Sequence, residues 1–448
     1  SYGSNRLPMK SRCLLILIIF LLMAPVLHAQ QPMPLDLQQA IDLALQHNRA
    51  LHIKKLQQSE KEAKLHEDAI KQYPAVTVSS AYQYNQNLGA LNIPAGYFGA
   101  LPLGGTTIEL PNKDASFELG KHNNFNAGVT VYQPITQLGK IKAGMEVTKT
   151  DVLIAEQESR KAALQIRQAV EKLYYGLLIN QQQQVTANAN LQLAQMKQFD
   201  VESALMAGKT VDASKAGLQA NVADEEQNLL KLQIQADDYM ADLQQLTGIT
   251  ADSVILAKVD YSPQPISDSI SGDNNVDIRL ATLTRVKTEQ AIKAAQRSYL
   301  PDFGLMAGYT YQTGNVLYPS SNPFVGASFK WNIQDIFSNK QVMHQRNFQL
   351  QQSTEYVANT QETVNHDIAK AKRRINQAIA LIAVAQKAVN YRQDELKIQQ
   401  DKQDAGLNIE ADLLNTKSML AKAQADLLSA QLNYRIAISD LRILTGAY

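Results

Sequence analysis

Cysteine, aromatic residues and net charge are all scarce in this chain of 448 residues. The single cysteine, Cys13, excludes an internal disulfide framework. Aromatics make up only 6 %, and with alanine and glutamine abundant the composition favours long helices over compact cores. A formal charge of +1 gives no handle for nucleic acid. Proline is absent between Pro134 and Pro263, and absent again after Pro323. Metal and redox motifs are missing: there is no HExxH or CxxC, and His47 and His52, five apart, do not share a helix face. Gly104-Gly105 has no phosphate-binding context. These gaps leave little room for an enzyme, and no cofactor or metal is expected.

What is present begins with a targeting signal. Met9-Lys10-Ser11-Arg12 is a basic start, Cys13 to Leu22 is apolar, and Leu27-His28-Ala29 precedes a plausible cut before Gln30. This pattern is that of a secretory signal peptide over residues 1–29, with residues 1–8 upstream of the expected start. The apolar run is too short for a membrane anchor. Cys13 lies inside the run rather than at the cut, which argues against a lipid anchor. Removing Arg6, Lys10 and Arg12 leaves 40 basic residues against 42 acidic, with no cysteine in the exported chain.

The rest is organised as a duplication. From Gly406 the chain runs into a helix whose seam is Leu420, Ala423, Leu427, Ala430, Tyr434, Ala437, Leu441 and Leu444, closing on Leu444-Thr445-Gly446. Steps of three and four place these on one stripe. An offset of 198 gives Gly208, then Val222, Glu225, Leu229, Leu232, Ala236, Tyr239, Leu243 and Leu246, then Leu246-Thr247-Gly248. Two glycine breaks and two helix ends at one offset define an internal repeat. The expected division is 1–29 signal, 30–248 first repeat, 249–273 polar linker and 274–448 second repeat.

Within each repeat the order is helix, two strands, long helix, return helix. In the first, a helix over Leu35–Lys71 gives way at Tyr73-Pro74 to a strand over 75–84, in which Val76, Val78, Tyr82 and Tyr84 alternate with polar residues. A second strand, 125–133, carries Phe125, Ala127, Val129 and Val131 on one side. The 40 residues between, Asn85 to Asn124, with six glycines and three prolines, read as a long loop. In the second repeat a helix over 274–298 precedes strands at 303–311 and 325–331, with a short loop from Gln312 to Pro323. Proline-free helices of about 70 residues, 136–206 and 334–403, follow the two strand pairs; each would run about 105 Å. The offset between Tyr73 and Tyr299 is 226 rather than 198, and the longer first loop absorbs the difference.

Four strands cannot close a barrel, for which about eight is the practical minimum. Strands of nine or ten residues have the length a membrane strand needs, and lipid admits only helices and closed barrels. Three chains would supply twelve strands. The fold expected is therefore mainly α with a membrane β-barrel: two long helical hairpins plus four strands, contributing to a trimeric twelve-stranded barrel and a periplasmic α-barrel. A soluble secreted helical bundle, a periplasmic adaptor and a structural envelope spacer remain as alternatives. An adaptor has one hairpin with small β-domains, and a spacer needs no lumen.

At this point the residues resemble a family. Leu35-Asp36-Leu37-Gln38-Gln39-Ala40-Ile41-Asp42-Leu43-Ala44-Leu45 with Asn48, Tyr73-Pro74, Tyr299-Leu300-Pro301, and Ala405-Gly406 through Asp412-Leu413-Leu414 are similar, in order, to the outer-membrane factors of the TolC type. The resemblance covers essentially all of the exported chain. It implies a homotrimeric exit duct in the outer membrane of a Gram-negative cell, reaching into the periplasm. It implies docking to a periplasmic adaptor (membrane fusion protein) and to an inner-membrane pump of the resistance-nodulation-division or ABC type. It implies passive export of small molecules, or type I secretion, without nucleotide or catalytic centre. Asp412 matches a position where the family rings its pore entrance with acids; Asn415 stands where the family's best-known member has a second aspartate. Glu410 is a second candidate for that gate, and in the first repeat Ser214 takes the place of Asp412, with Asp212 the nearest acid. Three copies of a carboxylate would make a cation-attracting constriction, although a carboxylate in a first helical turn is favoured by the dipole alone. Gly208, Gly406 and Leu407 are expected at the hairpin tips that meet the adaptor; a reversal needs such glycines in any case. Tyr132 and Trp331, near Lys140 and Lys142, are expected as aromatics of the barrel's lipid interface, with core packing as the plain alternative.

Overall fold

The structure is a computed structural model describing residues 33–208, 215–250, 254–259, 261, 263, 271–407 and 410–448. The expected signal peptide with its cut, Asp212, Ser214 and most of the linker lie outside the described residues. The chain divides into two compact units, each drawing on both repeats. The first takes its described residues from 1–49, 163–268 and 370–441, the second from 50–162, 269–369 and 442–448.

The opening helical pattern is two helices, not one. Helix α1, Leu37–His47, starts on a capping box: the Asp36 carboxylate accepts from the Gln39 N–H at 2.8 Å, and the Gln39 side chain accepts from the Asp36 N–H at 3.1 Å. Asn48 then leaves helical geometry (φ −68°, ψ 116°), and helix α2, Arg49–Ile70, begins anew. Asparagine competes with the helical backbone through its side-chain amide, which is why the period survives while the helix does not. α1 buries Ala40, Ile41 and Ala44, whereas α2 buries only Leu51.

The proline-free stretches form the long helices α3, Gln137–Met206 of 70 residues, and α6, Gln334–Asp404 of 71 residues. Their return helices are α4, Lys215–Thr247, and α7, Glu410–Thr445. In the first unit α3 lies between α4 and α7. The Asn180 amide donates to the Leu232 carbonyl at 3.0 Å and to Gln235 Oε1 at 3.1 Å on α4. From the other side of α3, Asn190 and Glu171 accept from Ser418 and Ser439 on α7, and Gln168 donates to Asp440 at 2.6 Å. The expected seam of α4 is its covered stripe: Val222, Glu225, Leu229, Leu232, Ala236, Tyr239, Leu243 and Leu246 are all buried or half-buried among exposed neighbours. α7 is buried on two stripes, one through Ala423, Ala430, Tyr434, Ala437 and Leu441 and the other through Ala411, Ser418, Ala421, Ala425, Leu432 and Ser439. A helix covered on both sides needs small residues, which explains its alanine and serine content.

A small parallel ladder completes this unit. Strand β1, Met33–Leu35, pairs with Val254–Leu256. The buried Tyr174 hydroxyl sits 2.9 Å from the Leu35 carbonyl and 2.8 Å from that of Ala257, bridging the two segments. Leu35, Ile41, Val170, Leu177 and Leu243 are almost fully buried around it. Each such side chain contributes about 1.5–3 kcal/mol on burial.

The second unit holds the membrane-length strands: β2, Ala75–Tyr84; β7, Asn123–Pro134; β9, Asp302–Thr313; and β10, Ser321–Lys330. They form one antiparallel sheet of order β10-β9-β7-β2. Helix α5, Val276–Ala295, is capped by the Asn275 side chain, which accepts from the Asp277 and Ile278 N–H groups and donates to the Leu444 carbonyl at 2.9 Å. The stretch 85–124 is not a structureless loop. Strand β3, Gly89–Ile93, pairs with β6, Ala115–Leu119, and β4, Ala100–Leu103, with β5, Thr106–Glu109. Leu91, Phe117 and Leu119 share one face of the first ribbon, and Leu101, Leu103 and Ile108 one face of the second. This alternation was masked by the glycines and prolines around it. β8 is the strand Val254–Leu256 already described.

Tyr174 gives a test. Tyr174→Phe removes the buried hydroxyl that bridges the Leu35 and Ala257 carbonyls and is expected to destabilise the protein by about 1–2 kcal/mol in thermal unfolding. Burial raises the Tyr174 pKa to about 12. The unfolded chain therefore releases this proton first, so the contribution is intact below pH about 10 and lost towards pH 12. The gap between wild type and Tyr174→Phe is expected to shrink across that window.

Candidate functional site

The four-stranded sheet carries the chemistry of a wall with two unlike faces. Its register aligns the alternation of all strands. Val76-Val131-Ala307-Val325 form one cross-strand row, followed by Val78-Val129-Tyr309-Pro323. Leu305 and Ala327 extend this aliphatic band. Towards the hairpin ends the same face carries Tyr82, Tyr84, Phe125 and Tyr311; towards the helices it carries Phe303 and Phe329. The opposite face is mostly small and polar, with Thr77, Ser79, Thr130, Gly128, Gly308, Thr310, Gly326 and Ser328, and the amides Gln83, Asn124, Asn126 and Gln312 near the hairpin ends; Tyr132, Met306 and Phe324 are its large side chains. Its only charges are the register pair Asp302 and Lys330 at the helix end.

The sense of this alternation is inverted relative to a water-soluble sheet. Along β9 and β10 the apolar positions are the exposed ones and the small polar positions the half-covered ones. Val325 is 86 % exposed and Val78 74 %. An aliphatic band between two sets of aromatics is the pattern of a lipid-facing barrel exterior, and a small, nearly uncharged face suits a water-filled interior. No helix among the described residues is long and apolar enough to cross a membrane.

Tyr132, expected among the interface aromatics, does not lie on the apolar face. It pairs with Ala75 and Met306 on the small polar face, and its ring covers Gly304, the diagonal neighbour across the strand pair. The reason is parity: Phe125, Ala127, Val129 and Val131 are odd positions of β7, and Tyr132 is even. Trp331 follows the last residue of β10, is 45 % exposed, and its indole N–H donates to the Tyr299 carbonyl at 3.1 Å. Phe303 and Phe329, on the apolar face at this end, were legible from alternation but not singled out. Lys140 ties the strand–helix junction, its ammonium lying 2.7 Å from Asp302 and 3.0 Å from the Leu300 carbonyl; Lys142 is exposed.

The reversal glycines behave as their spacing requires. Gly208 and Gly406 have φ of 73° and 70°, where a side chain is strained. Gly406 closes a Schellman motif, with Leu407 N–H to Lys402 O at 2.9 Å and Gly406 N–H to Gln403 O at 2.9 Å. Each reversal exposes a large apolar side chain: Leu407 is 79 % exposed, and Met206, which sequence reasoning passed over, is 84 % exposed. Glu410 and Asp412 both lie in the first turn of α7 and are exposed; Asn415 is half-buried. Asp412 and Asn415, three apart, share a helix face. Glu410 is about 200° of helical rotation from Asp412 and does not join them within one chain. No group of metal-ligating side chains occurs among the described residues.

A family model described as outer membrane efflux protein matches residues 40–249 and 270–447. The chain belongs to the outer membrane efflux protein family. Solved structures carry the same fold. The CmeC outer membrane channel of Campylobacter jejuni superposes with a TM-score of 0.72 at 17 % identity, covering 92 % of this chain and 85 % of that one. The outer membrane protein VceC of Vibrio cholerae gives 0.70 at 17 % identity over 92 % and 96 %. The open-state MtrE outer membrane channel of Neisseria gonorrhoeae gives 0.64 at 16 % identity over 92 % and 88 %. Among curated proteins none matches by sequence. This efflux protein thus has the fold of those outer-membrane channels, and its family and fold are those of channels rather than enzymes.

The Gly304–Tyr132 contact is testable. A methyl at Gly304 would enter the space of the Tyr132 ring, so Gly304→Ala is expected to cost about 1–3 kcal/mol by overpacking. Thermal unfolding should show Tyr132→Ala suppressing most of that loss, which a ring lying on the other face would not do.

Proposed function

We propose that three copies of this efflux protein close a twelve-stranded barrel and an α-helical barrel, forming the passive exit duct of a tripartite system. The observation that carries this reading is the inverted sheet with two unpaired edges, β10 and β2. Lipid offers no hydrogen bonds, so each edge must meet another strand, and a four-stranded sheet meets one only in another copy. Pro323 lies in the edge strand β10, the position within a sheet that tolerates proline.

The hairpin tips at Gly208 and Gly406, with Met206 and Leu407 exposed beside them, form the docking end for a periplasmic adaptor. The inner-membrane pump, of the resistance-nodulation-division or ABC type, supplies the energy. Asp412, with its face-sharing neighbour Asn415, provides one acidic tier of the gate; its three copies set a preference for cations. The cargo is small molecules crossing from the periplasm to the exterior.

Planar-bilayer recording from the detergent-extracted oligomer tests the reading. Small, stable, cation-preferring conductance steps are expected, and Asp412→Asn should reduce the cation preference several-fold while leaving the trimer's mass unchanged. A trimer that never conducts, even with Asp412 neutralised, would make the protein a spacer rather than a duct. Unchanged selectivity in Asp412→Asn would remove the gate assignment alone.

A further inference from the structure

The segment between β2 and β7 forms an arm that leans over the polar face of the sheet. Its base is fastened at two places. The Asn85 N–H donates to the His122 carbonyl at 2.8 Å, and the Lys121 N–H to the Gly314 carbonyl, in the β9–β10 turn, at 2.8 Å. Above the base, bonds from Gly96 N–H to the Pro111 carbonyl at 3.0 Å and from Phe98 N–H to the Leu110 carbonyl at 2.8 Å join the β3–β6 and β4–β5 ribbons into one arm. A hollow of about 420 Å³ lies between the arm and the sheet. On the sheet side it is lined by Gln83, Asn124, Asn126 and Gln312 of the polar face, with Phe125 and its partner Thr313 from the other. Leu88 and Leu119 line it from the arm. The arm therefore bends towards the side of a barrel interior, away from the side of lipid.

The two faces of the arm differ in chemistry. Leu119 lines the hollow, so the ribbon face it shares with Leu91 and Phe117 is turned the same way. Leu91 is 50 % exposed and Phe117 56 %. The reverse face carries Asn92, Ser116 and Glu118. The second ribbon repeats the division, with Leu101, Leu103 and Ile108 on one face and Glu109 on the other. The remaining charges stay off the apolar faces: Asp114 accepts from the Ala95 N–H at 2.8 Å, Lys113 lies at the bend between the ribbons, and Lys121 lies at the base. A two-stranded ribbon by itself is marginally stable in water, and an open apolar face marks a contact surface. Lipid is on the wrong side to supply the cover, because the rows of Val76 and Val78 occupy the other face of the sheet. On the polar side of a closed barrel stand the arms of the other copies.

Reach decides whether they meet. Strands β3 and β4, of five and four residues, together extend about 30 Å. A twelve-stranded barrel of ordinary strand spacing and tilt has a radius of about 12 Å. An arm leaning inward over the rim thus spans the distance to the axis. The β9–β10 hairpin carries no ribbon of this kind, so a trimer has three arms, which is a number that can pack around one threefold axis.

We propose that the arms of three copies converge over the barrel axis through their apolar faces and close the outer mouth of the duct. The inference rests on the trimer proposed above. It adds a closure at the exit end, built from residues 89–119 and separate from the acidic tip at Asp412. Its contacts are apolar and confined to the arms, so passing cargo can part them without disturbing the sheet, while the backbone bonds at Asn85 and Lys121 keep each arm in place.

Thiol labelling on whole cells tests it. Thr130→Cys places a thiol on the polar face beneath the arm. A polymer-linked maleimide added outside the cells should label it at least ten-fold faster once residues 89–119 are replaced by Gly-Ser-Gly. Leu91→Asp with Phe117→Asp, which keeps the arm but charges its apolar face, should raise the rate in the same direction. In purified trimers Leu103→Cys should give a covalent two-chain species with a short bis-maleimide, and Glu118→Cys, on the reverse face, should not. A labelling rate unchanged by removal of the arm, in protein that extracts as a trimer, overturns the closure and leaves the duct intact. So does a trimer whose Leu103→Cys chains never link. A chain that extracts as a monomer without any substitution overturns both.

Discussion

The structure turns on the cost of leaving a strand edge unpaired where no water can reach it. A ten-residue edge such as β10 turns about half of its backbone N–H and C=O groups outward. At several kcal/mol for each group left bare in hydrocarbon, the penalty is on the order of tens of kcal/mol. That exceeds the stability of an ordinary folded domain. A sheet whose exposed face is Val78, Val129, Tyr309 and Val325 can enter lipid only with both edges satisfied. The duplication supplies half of the answer by placing the two hairpins side by side, β9 against β7. The remaining edges, β2 and β10, come from different repeats, and in the proposed trimer they pair head to tail.

The helices meet a milder form of the same constraint. In water an unpartnered helix flank costs apolar exposure rather than bare hydrogen-bonding groups, so the penalty per residue is smaller and is offset by charge at the rims. The first unit shows the gradation. α7, buried on two stripes, carries alanine and serine; α3, between α4 and α7, buries Glu171 and Asn180 only where Ser439 and the Leu232 carbonyl meet them. The outer helices α4 and α6 keep isolated leucines and isoleucines between charged residues. A buried charge needs its partners in place, so Glu171, held by Ser439 and by Arg167 at 3.4 Å, marks a position where the helices cannot slide past one another.

Much of this was legible because helix and strand periods are strict. The two long helices fell within a residue of the expected 136–206 and 334–403, and the α4 seam is the covered stripe observed. The failures have particular physical causes. Tyr132 was grouped with Trp331 by residue type, yet period two had already assigned it to the other face, because it is even where Val129 and Val131 are odd. Asn48 preserves the apolar spacing on either side of it, so periodicity could not report that the helix stops and restarts. The 85–124 segment hides two short ribbons among glycines and prolines, and strands of four or five residues leave too few alternations to stand out. Glu410 was counted with Asp412 by proximity in sequence, although two positions along a helix is nearly the opposite side.

The acid at the tip gains its meaning from symmetry rather than from its own environment. A single exposed carboxylate in a first helical turn is favoured by the helix dipole and needs no further role. Three copies around one axis are different, because no rearrangement within a chain can separate charges that the assembly holds together. In the proposed gate, opening requires the helices carrying them to move apart. Those helices are α7, fixed on both flanks, and its hairpin partner α6, whose far side is open. In the proposed gate, the separation of the acids would thus depend on contact between copies as well as on Asp412 itself.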